Sequence, residues 1–431
     1  MPGLSHAVYN LLVWLAQPLL RRKLARRAQA EPGYAVAVPE RFGRYHQPPE
    51  PRSDLLWVHA VSLGEARAAG ILLKALREAM PGVRILLTHG TATGRAEGAT
   101  LLREGDVQVW QPWDTPGAVR AFLAHFRPRI GLLMETEVWP NLVHGSRAAG
   151  VPLVLVNARM SDQSLRSALR WSSLMRPAFA GLAAAWPQTE ADAQRLRQLG
   201  ATVPVVTGNL KFDAEPDAAQ CTQAQAWRRT QPRPVVLLAS SREGEEALWL
   251  QAVQAQPEAL KAVQWLIVPR HPQRVDEVER LLQGAGLSVL RRSAWGEGGP
   301  PVGSIGPAQV WLGDSLGEMA LYYSLANVAW LGGSFAPLGG QNLIEAAACA
   351  CPVLMGPHTF NFLEAAAQAE AAGAALRVPS MSEALTQALA LVADPARHAR
   401  KAQAAQAFSQ AHKGAARRVA GLVQAVLGQP G

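Results

Sequence analysis

A strand, a glycine-rich loop, a helix and a second strand follow one another in the last third of the chain, and this order constrains the fold most. The apolar run Asn327–Leu331 (NVAWL) predicts a buried strand, and the pair Gly339-Gly340 closes the loop after it. Gln341–Ala350 has helical spacing, and Pro352–Met355 predicts the returning strand. Because two strands joined by a crossing helix form a parallel unit, the sequence predicts an α/β protein with parallel sheets.

The loop in this unit is a candidate ligand site. Open parallel sheets bind ligands at the carboxyl ends of their strands, and glycines leave backbone N–H groups accessible there. A helix N-terminus in the same place suits a phosphate, and Asn342 and Glu345 would share one face of that helix. Glu345 could then accept hydrogen bonds from ribose hydroxyls. The alternative is a glycine turn that only links a strand to a packed helix, and this stretch leaves both interpretations open.

Length and composition indicate two folded domains. The 431 residues exceed one ordinary core, and 49% of them are hydrophobic. The net charge of +9 favours anionic partners such as nucleic acid, phospholipid head groups or phosphorylated substrates. Three cysteines form neither a disulfide framework nor a metal-binding spacing, so we expect a reducing compartment. Without a histidine–carboxylate metal motif or a P-loop, the sequence predicts no catalytic metal and no cofactor.

The N-terminus predicts a membrane-associated helix. Residues 4–20 are mostly apolar, but they are short for a bilayer span and polar residues interrupt them. Six apolar residues follow helical spacing: Leu4, Val8, Leu11, Leu12, Leu15 and Leu19. Five cations come next: Arg21, Arg22, Lys23, Arg26 and Arg27. This pattern is typical of an interfacial anchor on an anionic membrane, and the alternative is a helix packed on its own domain.

Apolar runs that alternate with helical patterns divide the rest of the chain. They predict strands at Leu55–Val61, Val83–Thr88, Val107–Trp110, Ile130–Met134, Leu153–Val156, Leu182–Trp186, Val235–Ala239, Trp265–Val268 and Val310–Leu312. After the anchor and its basic tail (residues 1–30), we expect a Rossmann-like domain over 31–207, a linker over 208–234 and a second Rossmann-like domain over 235–395.

Glu65 opens a predicted helix directly after the first strand. Ser62-Leu-Gly64-Glu65 has the pattern of a capping box, in which the serine caps the helix and the glutamate bonds back to the serine N–H. The helix dipole would keep this carboxylate ionised. An ionised carboxylate at a strand end can also act as a general base, so Glu65 is either a cap or a catalytic residue.

Two further carboxylates follow an apolar strand in the first domain. Glu135 and Glu137 lie in ETEVWPN, and side chains two apart on an extended segment point the same way. They belong either to a site or to the cap of a helix that begins near Pro140. Lys211, in the motif GNLKFD, either binds an anion or is solvated.

Polar residues also end two strands of the second domain. Arg270 and His271 lie between prolines at the end of one strand, where an arginine suits a phosphate and the alternative is a surface charge. Gly313, Asp314 and Ser315 follow the next strand, and they form either part of a site or a cap for the helix behind them.

Taken together, these motifs resemble the 3-deoxy-D-manno-octulosonic acid (Kdo) transferases of lipopolysaccharide biosynthesis. The motifs are, in order, SLGE, ETEVWPNL, GNLKFD, VPRHP, GDSLGEM, GGSFAPLGGQNLIEAAA and GPHTFNF. The N-terminal anchor and the segment PGYAVAVPERFGRY match as well, so the resemblance covers nearly the whole chain. Two features depart from the family pattern: Gln341 stands where the family usually has histidine, and THGTATG is poorer in threonine than usual.

The resemblance implies a GT-B glycosyltransferase fold, with two Rossmann-like domains facing each other across a cleft. The C-terminal helix, residues 396–431, would pack back toward the first domain. The implied activity is inverting transfer of Kdo from CMP-Kdo to a phosphorylated lipid A precursor. The partners would be these substrates and an anionic membrane surface, with no nucleic acid. The enzyme would act at the cytoplasmic face of the inner membrane.

The resemblance also assigns roles to the candidate residues. Glu65 would be the catalytic base. The donor would contact Arg270, His271, Gly313, Asp314, Ser315, Gly339, Gly340, Asn342 and Glu345. The cleft or the acceptor site would contain Ser62, Gly64, Glu135, Glu137 and Lys211. The alternatives are another GT-B enzyme, such as a nucleotide-sugar epimerase or an N-acetylglucosaminyltransferase, and a non-catalytic membrane-bound module that binds nucleotide.

Overall fold

The structure, a computed structural model, describes residues 4–51, 54–301 and 309–428. It forms two compact units, each built around one parallel sheet. The first unit contains the chain up to Asp213 and again from Lys413, and the second unit runs from Ala214 to His412. Helices connect the strands in both units, because parallel strands need crossover connections.

The sheet of the first unit has six strands. They are β1 (Leu55–His59), β2 (Arg84–His89), β3 (Val107–Trp110), β4 (Ile130–Met134), β5 (Leu153–Ala158) and β6 (Ala184–Pro187). Their order is β3-β2-β1-β4-β5-β6, and every neighbouring pair is parallel. The chain moves outward from β1 on one side and restarts beside it with β4, which leaves a switch point between β1 and β4.

In the described residues up to Asp213, eight helices accompany these strands. They are α1 (Leu4–Ala30), α2 (Leu63–Ala79), α3 (Ala92–Ala99), α4 (Pro116–Phe126), α5 (Pro140–Ala148), α6 (Asp162–Arg170), α7 (Ser172–Ala180) and α8 (Glu190–Gln198). Short 3-10 turns cover Pro32–Ala35, Val38–Phe42 and Leu210–Asp213. Hydroxyl groups cap five of the helices: Ser62, Thr91, Thr115, Ser161 and Thr189. These caps set where each helix begins.

Helix α1 presents its apolar residues to solvent. Each of the six apolar positions predicted for the anchor is at least 49% exposed. Polar side chains contact the rest of the unit: Tyr9 Oη donates to Asp114 Oδ2 (2.8 Å), and His6 Nε2 lies 2.7 Å from Asn141 Oδ1. Near the end of the helix Leu24 is buried and the Arg21 guanidinium stacks on the Phe42 ring, while the six apolar residues before them stay uncovered. In the described part of the chain, no helix has the length and apolarity needed to cross a membrane.

The sheet of the second unit has seven strands. They are β7 (Val235–Ser241), β8 (Gln264–Pro269), β9 (Ser288–Arg291), β10 (Gln309–Leu312), β11 (Val328–Leu331), β12 (Val353–Met355) and β13 (Ala375–Arg377). The order β13-β12-β11-β7-β8-β10-β9 is parallel throughout, with a switch point between β7 and β11. Every apolar run predicted as a strand forms one, to within two residues at each end. The edge strands β9 and β13 were not predicted, because they are short and only partly buried.

The described residues of the second unit form nine helices. They are α9 (Ala218–Thr230), α10 (Glu245–Ala255), α11 (Glu258–Ala262), α12 (Val275–Gly284), α13 (Met319–Leu325), α14 (Leu343–Ala348), α15 (Leu363–Ala371), α16 (Met381–Ala393) and α17 (Pro395–Ala411). Short 3-10 turns cover Pro272–Arg274, Arg292–Ala294 and Phe360–Phe362. Helix α14 is shorter than predicted, because Asn342 is its N-cap and Gln341 lies outside it. Helix α9 lies within the segment expected as a linker, residues 208–234.

The chain returns to the first unit at its end. Helix α18 (Ala415–Gly428) packs against α2 and buries Val419 and Val423 in the core on that side of the sheet. Asp213 caps α18, because its carboxylate accepts a hydrogen bond from Ala416 N (2.6 Å). The segment 396–431, expected as one helix, is thus divided between α17 in the second unit and α18 in the first.

Candidate active site

Three carboxylates lie at the switch point of the first sheet. Glu65 is in the first turn of α2, directly after β1, and Glu135 and Glu137 follow β4, which pairs with β1. Electrostatic repulsion from Glu135 and Glu137 reaches Glu65, so the three groups form one cluster. The polar residues that follow apolar strands in the sequence, Glu65, Glu135 and Glu137, are thus brought together by the fold.

The Glu65 carboxylate is held by two groups just before α2. Val61 N donates to Oε2 (2.9 Å), and the Ser62 hydroxyl donates to Oε1 (2.8 Å). The backbone N–H of Glu65 donates in turn to Ser62 Oγ (3.3 Å). The predicted capping box forms, but the glutamate reaches the N–H of Val61 and not that of Ser62. Gly64 is exposed and has room for a side chain, so nothing in the structure requires glycine there.

Glu65 is the carboxylate best suited to proton transfer. Burial raises its pKa to about 7, the hydrogen bonds from Val61 and Ser62 oppose the rise, and the neighbouring Glu135 and Glu137 add to it. The helix dipole does not keep the pKa of Glu65 at its ordinary value, because burial outweighs it and the neighbouring carboxylates add to the rise. A carboxyl group with a pKa near 7 can accept a proton at neutral pH and release it again.

Glu135 is an ion-paired carboxylate on a strained backbone. Its φ is +57°, and its side chain lies 3.5 Å from Lys211 Nζ and 3.8 Å from Arg159 Nη1. Lys211 is held in place by its own segment, because Leu210 N donates to the buried Asn157 Oδ1 (3.1 Å). The GNLKFD motif thus brings a cation to the carboxylate cluster. A left-handed conformation in a residue other than glycine is a feature that concentrates at functional sites.

Glu137 lies beside Trp139 and His59, two residues that the sequence analysis did not name as site candidates. Trp139 Nε1 donates to its Oε2 (2.8 Å), and His59 Nε2 lies 4.0 Å from the same oxygen. Burial raises the pKa of Glu137, the hydrogen bond from Trp139 opposes the rise, and Glu135 adds to it. His59 ends β1 but was missed because it lies inside the predicted apolar run Leu55–Val61, where one polar residue carries no distinctive pattern.

The capping alternative for Glu135 and Glu137 is wrong. Helix α5 begins at Pro140, and neither glutamate bonds to its first N–H groups. The carboxylate of Asp114 accepts from Asn141 N (3.0 Å) and from Leu142 N (2.7 Å) instead. Asp114 follows β3 and is far from α5 in the chain, so only the fold reveals that it caps α5.

In the second unit, a buried glutamate holds the glycine-rich loop. The Glu245 carboxylate accepts backbone N–H groups of Gly333 (2.6 Å), Phe335 (3.0 Å) and Ala336 (3.2 Å). It also accepts from Arg242 N (2.9 Å), so it joins the loop after β11 to the loop after β7 across the switch point. The expectation that the loop offers its N–H groups to a ligand is wrong for these three. Glu245 was missed because its role depends on a loop far along the chain.

Cationic groups collect at the carboxyl ends of β7 and β8. Arg270 Nε donates to Gln341 Oε1 (3.2 Å), so the residue that departs from the family pattern lies beside a predicted phosphate ligand. Burial lowers the pKa of His271, and Arg242 and Arg270 lower it further. The arrangement suits an anion, because Arg242 and Arg270 add positive charge at a strand end where sheets of this kind bind ligands.

Gly313, Asp314 and Ser315 line the carboxyl end of β10. Asp314 accepts from Ser293 N (2.9 Å) and from Ser293 Oγ (2.6 Å), and Ser315 Oγ bonds to Glu318. Gly313 packs so closely on β8 that an added Cβ would lie 2.7 Å from a methyl group of Val268. None of the three caps α13, which begins only at Met319, so the capping alternative is wrong here too.

Gly339 and Gly340 have a structural reason to be glycine. Both have positive φ, +89° and +74°, and a Cβ on Gly339 would lie 2.6 Å from Asn361 Cγ. Asn342 Nδ2 donates to Glu345 Oε1 (3.0 Å), so these two candidates contact each other. Their predicted shared helix face is wrong, because Asn342 is the cap and not a helical residue. Their contact with a nucleotide stays a prediction.

No group of three or more His, Cys, Asp or Glu side chains in the described ranges is arranged to hold a metal ion.

Comparison with solved structures defines the fold class. The UDP-GlcNAc 2-epimerase of Neisseria meningitidis, solved with UDP-GlcNAc bound, matches with a TM-score of 0.56 over 87% of this chain and 100% of that chain, at 15% identity. The two parallel-sheet α/β units thus resemble the GT-B folds of epimerases and transferases. At this identity the likeness concerns the fold alone.

Comparison of sequences defines the family. Residues 37–214 match the family described as 3-deoxy-D-manno-octulosonic-acid transferase (kdotransferase). The 3-deoxy-D-manno-octulosonic acid transferase of Bordetella pertussis is 49% identical over 99% of this chain and 100% of its own length. The Haemophilus influenzae transferase is 30% identical over 88% and 89%. The chain belongs to the Kdo transferase family, and it is a glycosyltransferase of lipopolysaccharide biosynthesis.

The family membership confirms the resemblance seen in the motifs. It also decides against the alternatives of an epimerase, an N-acetylglucosaminyltransferase and a non-catalytic module. The likeness to an epimerase concerns the fold alone.

Proposed function

We propose that this transferase moves Kdo from CMP-Kdo to a phosphorylated lipid A precursor, with Glu65 as the general base. The observation that carries the base assignment is the position and protonation of Glu65. Its carboxylate lies at the switch point of the first sheet, two hydrogen bonds hold it, and its pKa is about 7. Such a group can take a proton from a sugar hydroxyl at neutral pH.

In the proposed reaction, an acceptor hydroxyl attacks the anomeric carbon of Kdo and Glu65 takes its proton. A bond forms between the acceptor oxygen and the anomeric carbon, and the bond between that carbon and the CMP phosphate breaks with inversion. The electron pair leaves with CMP. The acceptor sugar lies beside the ion pair of Glu135 and Lys211, which the fold places in the same cluster as Glu65.

The donor binds in the second unit. Arg270 provides positive charge for the phosphate of the leaving CMP, the neighbouring His271 is a neutral hydrogen-bonding group because its pKa is lowered, and Gly313, Asp314 and Ser315 line the adjacent strand end. A monophosphate carries less charge than a diphosphate, so fixed protein charges and dipoles can stabilise its departure without a metal ion. Gln341 takes part through its contact with Arg270, in the position of the family histidine.

Helix α1 holds the enzyme at the cytoplasmic face of the inner membrane. Six of its apolar residues are exposed while the polar side chains of His6 and Tyr9 contact the protein, which is the reverse of a helix that packs in a core. The cations that follow suit an anionic leaflet. Lying in the interface, α1 would bring the first unit to its lipid acceptor.

The experiment that tests the reaction is release of CMP from CMP-Kdo by the full-length enzyme, with and without a lipid A precursor. We expect release that depends on the acceptor, and CMP, but not UDP, should raise the melting temperature. Acceptor-independent release at the same rate, or equal protection by UDP, would contradict the proposal.

A further inference from the structure

Trp139 exposes a large apolar ring beside the carboxylate cluster. It is 44% exposed, although Val138 before it and Pro140 after it are buried. Its carbonyl oxygen accepts the first intrahelical hydrogen bond of α5, from Val143 N (3.0 Å), so the backbone is fixed at this point. The exposure of Trp139 is therefore a property of the fold and not of a loose segment.

The polar edge of the Trp139 indole is tied to the cluster. Its Nε1 donates to Glu137 Oε2 (2.8 Å), and Glu137 in turn lies within electrostatic reach of Glu135 and Glu65. A tryptophan N–H can only donate, so the carboxylate acceptor holds this edge of the ring toward the cluster. The apolar part of the ring is then presented to solvent beside groups that accept hydrogen bonds from hydroxyls.

The same end of α5 also holds α1. His6 Nε2 lies 2.7 Å from Asn141 Oδ1, two residues after Trp139. The Asp114 carboxylate accepts from Asn141 N (3.0 Å) and from Tyr9 Oη (2.8 Å), so it joins α1 to the first turn of α5. The helix that carries the exposed apolar residues of the N-terminus is thus docked within one helical turn of Trp139.

A sugar ring matches both parts of this surface. A pyranose has a face of C–H bonds, which packs on the electron-rich face of an indole, and a rim of hydroxyl groups, which donate to carboxylates. The carboxylates of Glu65, Glu135 and Glu137 supply the acceptors. Acyl chains attached to such a sugar would meet the apolar residues of α1, which is docked on the same helix end.

We propose that the acceptor sugar stacks on Trp139, which holds the reacting hydroxyl over the carboxylate cluster. This inference rests on the proposed transfer to a phosphorylated lipid A precursor and names a substrate-binding residue for it. Exposed tryptophans also occur where proteins meet a membrane. The hydrogen bond to Glu137 favours the sugar, because a ring inserted among lipids would draw this carboxyl group toward the hydrocarbon, where an ionisable group is costly.

Binding can be tested without turnover, by saturation-transfer NMR with the deacylated headgroup of the precursor, a phosphorylated disaccharide. The full-length protein is kept in detergent micelles, and no CMP-Kdo is added. We expect the strongest signals from the C–H protons of one sugar face, and a Kd that rises about tenfold in Trp139→Ala. Absence of binding to the wild type, or an unchanged Kd in Trp139→Ala, would overturn the proposal.

Trp139→Phe separates the ring face from the hydrogen bond. Phenylalanine keeps an aromatic face but cannot donate to Glu137, so the Kd of the headgroup should stay within about threefold of the wild-type value. If Trp139→Phe loses as much affinity as Trp139→Ala, binding needs the hydrogen bond and not the ring, and the proposal fails. Trp171→Ala is the matched control, because Trp171 is 66% exposed where α6 meets α7, and it should bind the headgroup as the wild type does.

Turnover and vesicle binding complete the test. In Trp139→Ala, KM for the acylated acceptor should rise while KM for CMP-Kdo stays at the wild-type value, because the donor binds in the second unit. Cosedimentation with anionic vesicles should be unchanged, and a loss that accounts for the whole rise in acceptor KM would assign Trp139 to the membrane and overturn the proposal. If the wild type shows no acceptor-dependent release of CMP, the proposed function fails, while headgroup binding still decides the role of Trp139.

Discussion

At the scale of single residues, Glu65 combines two roles that the sequence presented as alternatives. Its backbone N–H bonds to the cap Ser62 while its carboxylate is held by Val61 and by the serine hydroxyl. Capping places the carboxylate at the strand end, and the cluster around it raises its pKa to about 7. The cap therefore orients the proposed base.

The base assignment predicts the behaviour of Glu65→Gln. The amide can accept from Val61 N and donate to the Ser62 hydroxyl, so the geometry survives, but it cannot take a proton. Turnover should fall by on the order of a hundredfold or more, and CMP affinity should stay near normal. Glu78→Gln, on an exposed residue of the same helix, is the control and should turn over normally. Near-normal turnover in Glu65→Gln would leave this residue as a cap only.

The same substitution predicts a pH-dependent gain in stability. The pKa of Glu65 is raised from its ordinary value of 4.5 to about 7, so the folded protein holds the proton more tightly than the unfolded chain. Stability contributed by this group is therefore lost as pH rises through that window. Glutamine does not titrate, so the melting temperature of Glu65→Gln relative to wild type should rise between pH 5 and 8. A difference that is constant with pH would contradict the raised pKa.

At the scale of elements, the glycine-rich loop depends on Glu245 for its shape. Two oxygens serve four backbone N–H groups, so Glu245→Gln turns one acceptor into a donor that faces other donors. We expect CMP affinity to weaken by about 1–3 kcal/mol, measured by titration calorimetry. Glu243→Gln, on an exposed neighbour, should bind CMP as the wild type does. Equal affinities for the two variants would show that the loop shape does not matter for the donor.

Helix α1 predicts a charge-dependent association with membranes. Replacing its five cations with glutamine (Arg21, Arg22, Lys23, Arg26 and Arg27) should weaken binding to anionic vesicles much more than to neutral ones. Added salt should reduce the difference between wild type and variant. Cosedimentation with vesicles measures both effects. Equal losses on the two kinds of vesicle would indicate that the exposed apolar residues alone determine binding.

Elements also show where sequence reasoning succeeds and where it stops. Apolar strands that end in polar residues located Glu65, Glu135 and Arg270, because burial and strand ends leave a local pattern. Glu245 and Asp114 were missed, because each satisfies N–H groups of a helix or loop distant in the chain. The short edge strands were missed because partial burial leaves little hydrophobic signal.

At the scale of the whole molecule, the first unit is discontinuous in sequence. A chain that ends at His412 lacks α18 and the core residues it contributes. The melting temperature of its first unit should therefore be more than about 5 °C below that of the full chain. The second unit is complete in this chain, so CMP binding should persist. A chain that ends at Leu427 keeps the buried residues of α18 and serves as the control. Loss of CMP binding in the shorter chain would show that the second unit also needs α18.

This discontinuity has a consequence for synthesis on the ribosome. The first unit leaves the exit tunnel first, but the apolar surface of α2 that α18 covers stays exposed until the last residues are translated. The second unit can finish folding while the first still waits for its final helix. The half of the enzyme that is made first is therefore completed last, and during that interval it is the half most in need of a chaperone.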